Sequence, residues 1–458
     1  FTQAMKPKDA LLERWKSTVA RKDDAPAIFN TAGEVLRTFR GIEEHARAVE
    51  AKVRSALAAA GKTRPVKLGN VIGIQIGNHH DWPSLFLTDL RRGQVVLPID
   101  ESVGKQQSDM AMSIAAKSGL IDWGNKLPAV FKLTSGTTAA PRLIRFRSEQ
   151  LLADCDQICD TMGISDVDLN FGVIPISHSY GFSNLLTPLI ARGVPMVVSR
   201  DRTPRAVLDD LARTNATVFP GTPIFYQAFC EMENVPRLPK LRLCISAGAP
   251  LPIATAKKFR DKFGLPIHSF YGASECGGIC YDREAANEIE GFVGAPMKDV
   301  DLEMINPNAE ASQVRVRSAA VGDGYFPDVD EEKLGNGVFV PDDLLARHGS
   351  GFKIVGRISD VINVAGKKVN PAEIEERLLR FPGVRQAVAF GRESTLRNEE
   401  VAACVVVDVD LRENEILEFC RNALSAWQVP KRIFIVDSIP TNERGKISRR
   451  ELAKRFSK

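Results

Sequence analysis

Between Lys132 and Phe146 the chain reads KLTSGTTAAPRLIRF, with four small hydroxyl residues set around Gly136 and Arg142, Arg145 and Arg147 close behind. Such a loop is poor material for a core. Its backbone N–H and hydroxyl donors suit a polyanion such as a run of phosphates. No Gly-x-x-x-x-Gly-Lys-Ser/Thr occurs anywhere, so the phosphate-binding loop of the P-loop ATPases is excluded. Taken alone, TSGTT serves as a linker as often as a site. Arg145 and Arg147 read as surface charges that flank a strand. Other chemistry-bearing residues have plain readings too. Lys446 in NERGKISRREL is one of several solvated charges, Tyr271 a core aromatic with a satisfied hydroxyl, and His178 a structural residue at an apolar strand end.

Four segments in order change that balance: TSGTTAAPR (134–142), YGASE (271–275), GRISDVINVAGKKVNPAEIE (356–375) and PTNERGKISR (440–449). Together they resemble the signature segments of the adenylate-forming superfamily, which holds acyl-CoA synthetases, aryl-CoA ligases, luciferases and the adenylation domains of peptide synthetases. Weaker matches lie between them. PISHSYGF is similar to the family's His-containing strand end, SAGAPLP to its adenine-side loop, and GVFVPDD to the segment with a ribose-binding aspartate. The resemblance runs from about Ala27 to Leu452.

It implies an ATP-dependent carboxylate–thiol ligase. A carboxylate attacks the α-phosphate of ATP to give acyl-AMP and pyrophosphate, and a thiol then takes the acyl group. Two anions meet at an anionic centre, so the protein's task is to position groups and neutralise charge. By resemblance Thr134, Ser135, Gly136, Thr137 and Thr138 cradle the outer phosphates, and Glu275 binds Mg²⁺, a hard ion that prefers oxygen. Asp343 and Arg357 hold the ribose hydroxyls, with Asp342 the alternative register. Tyr271, Gly272 and Ser274 form the nucleotide side opposite Ala247, Gly248 and Ala249. Lys446 delivers one compact cation to the reacting phosphate. His178, Tyr180, Phe182, Phe225, Ala247 and Gly277 line the acid pocket, with His178 at the carboxylate. In the second half-reaction the small domain turns about Ser359 and presents Gly366 and Lys368 to CoA, or to the phosphopantetheine of a separate carrier protein. A scaffold that kept the fold and lost catalysis is the other reading.

Three departures accompany the match. Ala139 stands where the family has glycine or serine, Arg142 replaces a lysine, and Ser359 replaces an acidic or lysine hinge. The stretch from Asp100 to Phe131 is also shorter than most relatives carry.

The elements that must position these residues follow from periodicity. Ile42, Ala46, Val49, Val53 and Leu57 recur at helical steps. The runs NVIGIQI, QVVLPI, LNFGVIPI, VPMVVS, ATVFP and LRLCISAG are short, apolar and closed by turn residues, as in buried parallel strands alternating with helices. After about residue 350 the pattern shifts to short strands, a helix opened by Pro371, the strands QAVAF and VAACVVV, a second helix and RIFIVD. The expected fold is α/β: a large N-terminal adenylating domain of several subdomains with mostly parallel sheets (1–357), and a small mobile α+β domain (358–458).

Bulk properties agree. The chain has 458 residues, 44% of them hydrophobic, and 61 Lys+Arg against 57 Asp+Glu, a net charge of +4. That charge is too small over this length to favour nucleic acid or an acidic membrane. The longest apolar runs fall far short of a membrane span. Eight scattered cysteines lack zinc-site spacing and read as reduced, buried thiols, and the charged opening FTQAMKPKDALLERWK has no signal-peptide core. Both point to the cytoplasm.

Overall fold

The computed structural model describes residues 9–59, 68–124, 126–133, 142–364, 367–394, 398–440 and 449–456. The chain divides into two compact units. The first comprises Phe1–Glu303, Arg315–Pro341 and His348–Lys353, and the second Met304–Val314, Asp342–Arg347 and Ile354–Lys458.

In the first unit the main sheet runs from Phe292–Pro296 through Gly277–Tyr281, Ile267–Ala273, Leu243–Ser246, Val218–Gly221, Asn170–Gly172, Met196–Val198 and Pro26–Phe29 to Val35–Thr38. Its middle, from Ile267–Ala273 to Pro26–Phe29, is parallel, and antiparallel strands extend it on both sides. This sheet is therefore mixed, with a parallel centre. The central strands are continuous apolar runs because helices cover them: Phe171, Phe219, Tyr226, Phe229 and Phe259 pack into one buried cluster. LNFGVIPI is strand only over Asn170–Gly172, and the rest of the run forms the approach to His178.

A second sheet orders Gly324–Phe326, Leu143–Phe146, Val130–Leu133, Val95–Pro98 and Val71–Ile74. Val130–Leu133 and Leu143–Phe146 pair antiparallel, Leu133 opposite Leu143, so the hydroxyl-rich stretch links two neighbouring strands. Arg145 and Arg147 depart from their expected role as surface charges. Arg147 holds Asp323 with two bonds, at 2.7 and 3.1 Å, and Arg145 donates to the Asp323 carbonyl at 3.0 Å. Their strand pairs with Gly324–Phe326, so the charge at Asp323 anchors that neighbour.

The helix Trp82–Arg91 buries Asp89, which is 6% exposed and 3.1 Å from Arg92. Burial pushes its carboxyl from 3.8 up to about 6, with Arg92 pulling the other way. The folded state therefore binds this proton more tightly than the unfolded chain. Stability falls as pH rises from about 4 to about 6 and does not return above that. Asp89→Asn is expected to raise the unfolding free energy at pH 7.5, by up to about 2–3 kcal/mol, and to have no benefit at pH 4. Denaturant titrations at the two pH values check this; an equal gain at both would refute it.

The second unit is built on a long hairpin, Val384–Ser394 against Asn398–Val407, with Ile362–Val364, Lys367–Val369 and Arg432–Ile435 alongside. Alternate residues face opposite cores. Ala389, Val401, Ala403 and Val405 meet Ile374 and Ile416, while Val388, Phe390, Ala402 and Cys404 meet Leu452. Covering on both faces explains why VAACVVV has no polar alternation. Asn370 caps the helix Pro371–Leu379 through the Ala372 N–H, with Pro371 at its first position. Arg449 fastens the start of the last helix to Asp360 and Glu375.

All eight cysteines are free and buried. Among the described residues no helix is long and apolar enough to cross a membrane.

Candidate active site

The segment after the strand Asn170–Gly172 delivers His178. Asn78, 3% exposed, fixes it: its side-chain amide donates to the carbonyls of Gly172 and Ile174, and its oxygen accepts the Ile176 N–H. His178 Nε2 lies 3.3 Å from Asp100 Oδ2. Asp100 closes the strand Val95–Pro98 and also accepts from Ser177 Oγ, from Ser102 Oγ and from the Ser102 N–H. The hydrogen bond from His178 leads in holding the Asp100 carboxyl well below its usual range. Asp100 orients the imidazole and leaves Nδ1 for a ligand. It had no local signal in the sequence beyond a carboxylate at the end of an apolar strand.

Two of the acid-pocket candidates converge on one carbonyl. The Tyr180 hydroxyl and the Ala247 N–H each donate to Gly221 O, both at 3.3 Å. The Tyr180 ring lies 5.9 Å from Phe270, and Phe225 packs against Phe219 at 6.0 Å. Gly221 is glycine because a Cβ there would press on the Phe219 and Tyr226 rings at 2.7 and 3.1 Å. Phe182 departs from expectation. It is 1% exposed and meets Phe86 edge-on at 5.4 Å, so it is a core residue here. The reason is helical phase: two steps of about 100° set Phe182 nearly opposite Tyr180. Phe182 also opens the π-helical turn Phe182–Leu186, in which the Thr187 N–H reaches back to Phe182 O.

On the nucleotide side, Gly248 takes φ +86°, a conformation suited to glycine, right after the strand that ends at Ser246. Gly248 and Ala249 are exposed. Tyr271 is 7% exposed within the strand Ile267–Ala273, so its ring is largely covered, whereas Gly272 is exposed and Ser274 half-buried. Glu275 follows. The Tyr325 hydroxyl donates to its Oε1 at 3.0 Å, and Arg142 stacks on the Tyr325 ring at 3.7 Å while lying 3.5 Å from Asp330. Burial, then the Glu275 charge, hold the Tyr325 phenol well above its ordinary value, so it remains a donor. A carboxylate oriented by a neutral phenol fits a hard divalent cation such as Mg²⁺. Tyr325 lies on a distant strand, and sequence spacing gave no hint of it. Gly277 takes φ +71°, and a Cβ on it would overlap the Asp154 carboxylate.

In the second unit Asp343 and Arg357 come together. Arg357 Nε donates to Asp343 Oδ1 at 2.7 Å; Asp343 is 7% exposed and Asp342 exposed, with its carbonyl taken by the Ile358 N–H. Ser359 sits in the short 3₁₀ turn Ile358–Asp360, and Lys368 pairs with Asn363 in a hairpin. Thr134, Ser135, Gly136, Thr137, Thr138, Gly366 and Lys446 lie outside the described residues. His79, His80 and Asp81 bring ligand atoms within 4.8 Å of one another, but Asp81 is already paired with Arg37 at 3.0 Å.

The AMP-binding enzyme family matches residues 123–326, and its C-terminal domain matches 373–446. The chain belongs to the adenylate-forming acyl- and aryl-CoA ligase superfamily. A probable CoA ligase of Humulus lupulus is 29% identical to this adenylate-forming chain over 346 residues, 72% of this chain and 66% of that protein. A long-chain-fatty-acid–CoA ligase of Escherichia coli O6:H1 is 23% identical across 97% of this chain and 94% of its own. ATP-bound MatB from Rhodopseudomonas palustris superposes with a TM-score of 0.81 over 97% of this chain and 98% of that one, at 23% identity, which establishes the adenylate-forming fold.

Proposed function

We propose that the protein activates a hydrophobic carboxylic acid, fatty or aromatic, as acyl-AMP with release of pyrophosphate. It then passes the acyl group to the thiol of CoA, releasing AMP. The observation that carries this reading is the meeting of Tyr180 and Ala247 on the Gly221 carbonyl, with Phe225 packed on the Phe219 ring and the His178–Asp100 pair at the polar end. Aromatic walls with a few placed donors suit an apolar acyl group ending in a carboxylate. His178 would stand at the end of the pocket that receives that carboxylate, and Asp343 with Arg357 would hold a ribose diol. Glu275 would hold Mg²⁺, which when bound neutralises phosphate charge. Lys446 would serve the first half-reaction only, Ser359 would be the hinge between the two halves, and Gly366 and Lys368 would face the pantetheine arm. Eight buried thiols suit a reducing compartment, the cytoplasm. One of the relatives is named as a 3,4-dihydroxybenzoate–aryl-carrier-protein ligase of Bacillus anthracis, 28% identical over 71% of this chain, which keeps a separate carrier as the alternative acceptor.

Free α-amino acids should be poor substrates. No acidic residue occurs from Pro175 to Asn184. The carboxylate beside His178, Asp100, already accepts four hydrogen bonds, and Asp154, which meets this stretch at Ser183, is held by Ser183 Oγ and the Gly278 N–H. An ammonium in that pocket would be desolvated without a partner. ATP–pyrophosphate exchange over a panel of fatty, aromatic and amino acids is the test. Exchange with simple hydrophobic acids is expected; exchange driven by amino acids alone would overturn the reading.

Asp343→Ala is expected to raise the KM for ATP about tenfold or more with little change in kcat, because a ribose contact is equal in ground and transition states. Initial-rate kinetics at varied ATP decide this. A large fall in kcat at unchanged KM would remove Asp343 from that role.

A further inference from the structure

We infer that Lys132, Ser183 and Asp154 form a buried relay that positions the strand leading into the phosphate loop against the turn that carries Glu275. The inference rests on the adenylating reading of this site and adds positioning residues to it. Lys132 is the third residue of the strand Val130–Leu133, two positions before Thr134, and is 4% exposed. Its ammonium donates to Ser183 Oγ at 3.4 Å; Ser183 Oγ donates to Asp154 Oδ2 at 2.5 Å; Asp154 Oδ1 accepts the Gly278 N–H at 3.1 Å. Ser183 and Asp154 are 4% and 3% exposed. The ammonium also lies 4.6 Å from the centre of the Phe146 ring and 5.5 Å from that of Phe182.

The three residues belong to three of the site's segments. Lys132 leads into TSGTT, Ser183 stands on the π turn five residues after His178, and Asp154 grips the backbone two and three residues past Glu275. Asp154 packs so closely on Gly277 that no side chain fits there. Lys132 occupies a strand position after the buried Phe131 and opposite the buried Ile144, where an aliphatic residue would fill the space without desolvation. Burial depresses the ammonium's pKa and the Asp154 charge supports it. Replacing a buried ion pair by apolar residues of similar volume is often neutral or favourable for stability. What such a pair supplies instead is direction, because hydrogen bonds between fixed donors and acceptors admit one arrangement of the segments that carry them.

The test uses the full chain with Ser183→Ala, Asp154→Leu and the double variant Lys132→Met/Asp154→Leu. Thermal midpoints and the KM values for ATP and acid in pyrophosphate exchange are measured together. Asp154→Leu should lose stability because it strands a buried ammonium, and the double variant should recover most of it. The double variant and Ser183→Ala should nevertheless show a KM for ATP raised at least tenfold, with the KM for acid changed less than threefold. A double variant with wild-type kinetics would overturn the relay as a positioning device and leave it as packing. If the wild type exchanges pyrophosphate with no acid, the ligase reading fails, and the relay is judged by calorimetric binding of MgATP. A tenfold weakening in the double variant supports the relay; equal affinity, or no binding by the wild type, overturns it.

Discussion

Lys446→Ala is expected to lower acyl-AMP formation by a factor on the order of 10²–10³, while thioester formation from synthetic acyl-AMP stays near normal. The reaction brings a carboxylate anion to an α-phosphate that is itself anionic. One ammonium aimed at the developing charge therefore acts mainly in the transition state. Its removal should appear in kcat for pyrophosphate exchange rather than in the KM for ATP. The thioester step has a neutral thioester and AMP as products and uses other residues, so it should be spared. Both half-reactions are measured on the same preparation. An equal fall in the two would show that one arrangement of the site serves both steps, and the division of labour proposed for the two halves would be wrong.

Gly277→Ala is expected to destabilise the first unit by about 3 kcal/mol or more, enough to lower the yield of folded protein. Two costs add. Its φ of +71° is unfavourable for any residue with a Cβ. The new methyl would also overlap a carboxylate that cannot retreat, because Asp154 is held by Ser183 Oγ and by the Gly278 N–H. Denaturant titration, or recovery after refolding, measures the effect. A variant with an unchanged midpoint would show that the turn after Glu275 tolerates movement, and the close packing described above would lose its significance.

Much of this molecule is readable from its sequence where local chemistry decides structure. The helices Phe39–Ala59 and Pro371–Leu379 follow from periodicity and from Pro371. The central strands are recognisable because burial on both faces removes polar alternation. The antiparallel additions beyond Ile267–Ala273 are less legible, since strands such as Gly277–Tyr281 and Phe292–Pro296 are glycine-containing and short, and long-range pairing defines them. The same division holds at the site. Asp343 and Arg357 lie 14 residues apart on neighbouring strands, and their meeting could be anticipated. Asp100 and His178 are 78 positions apart, and Glu275 and Tyr325 are 50 apart. Tertiary folding alone brings those pairs together. Phe182 misleads because aromatic character marks a core residue and a pocket residue equally well, and only the phase of the helix separates them.

The π turn at Phe182–Leu186 gives this stretch a place where a change of chain length can be absorbed. Each residue of an α-helix advances the side chains by about 100°. The segment Ser179–Gly181, the turn and Thr187–Arg192 follow one another without a break. Deleting one residue inside the turn would let it relax into regular α-helix, while Thr187–Arg192 stayed anchored in the core. The π turn closes with five residues the turn that an α-helix closes with four, so the two flanks would stay in phase and Tyr180 would keep its place at Gly221. A single-codon loss is thus absorbed inside the turn, whereas the same loss within Thr187–Arg192 would rotate everything before it by about a quarter turn.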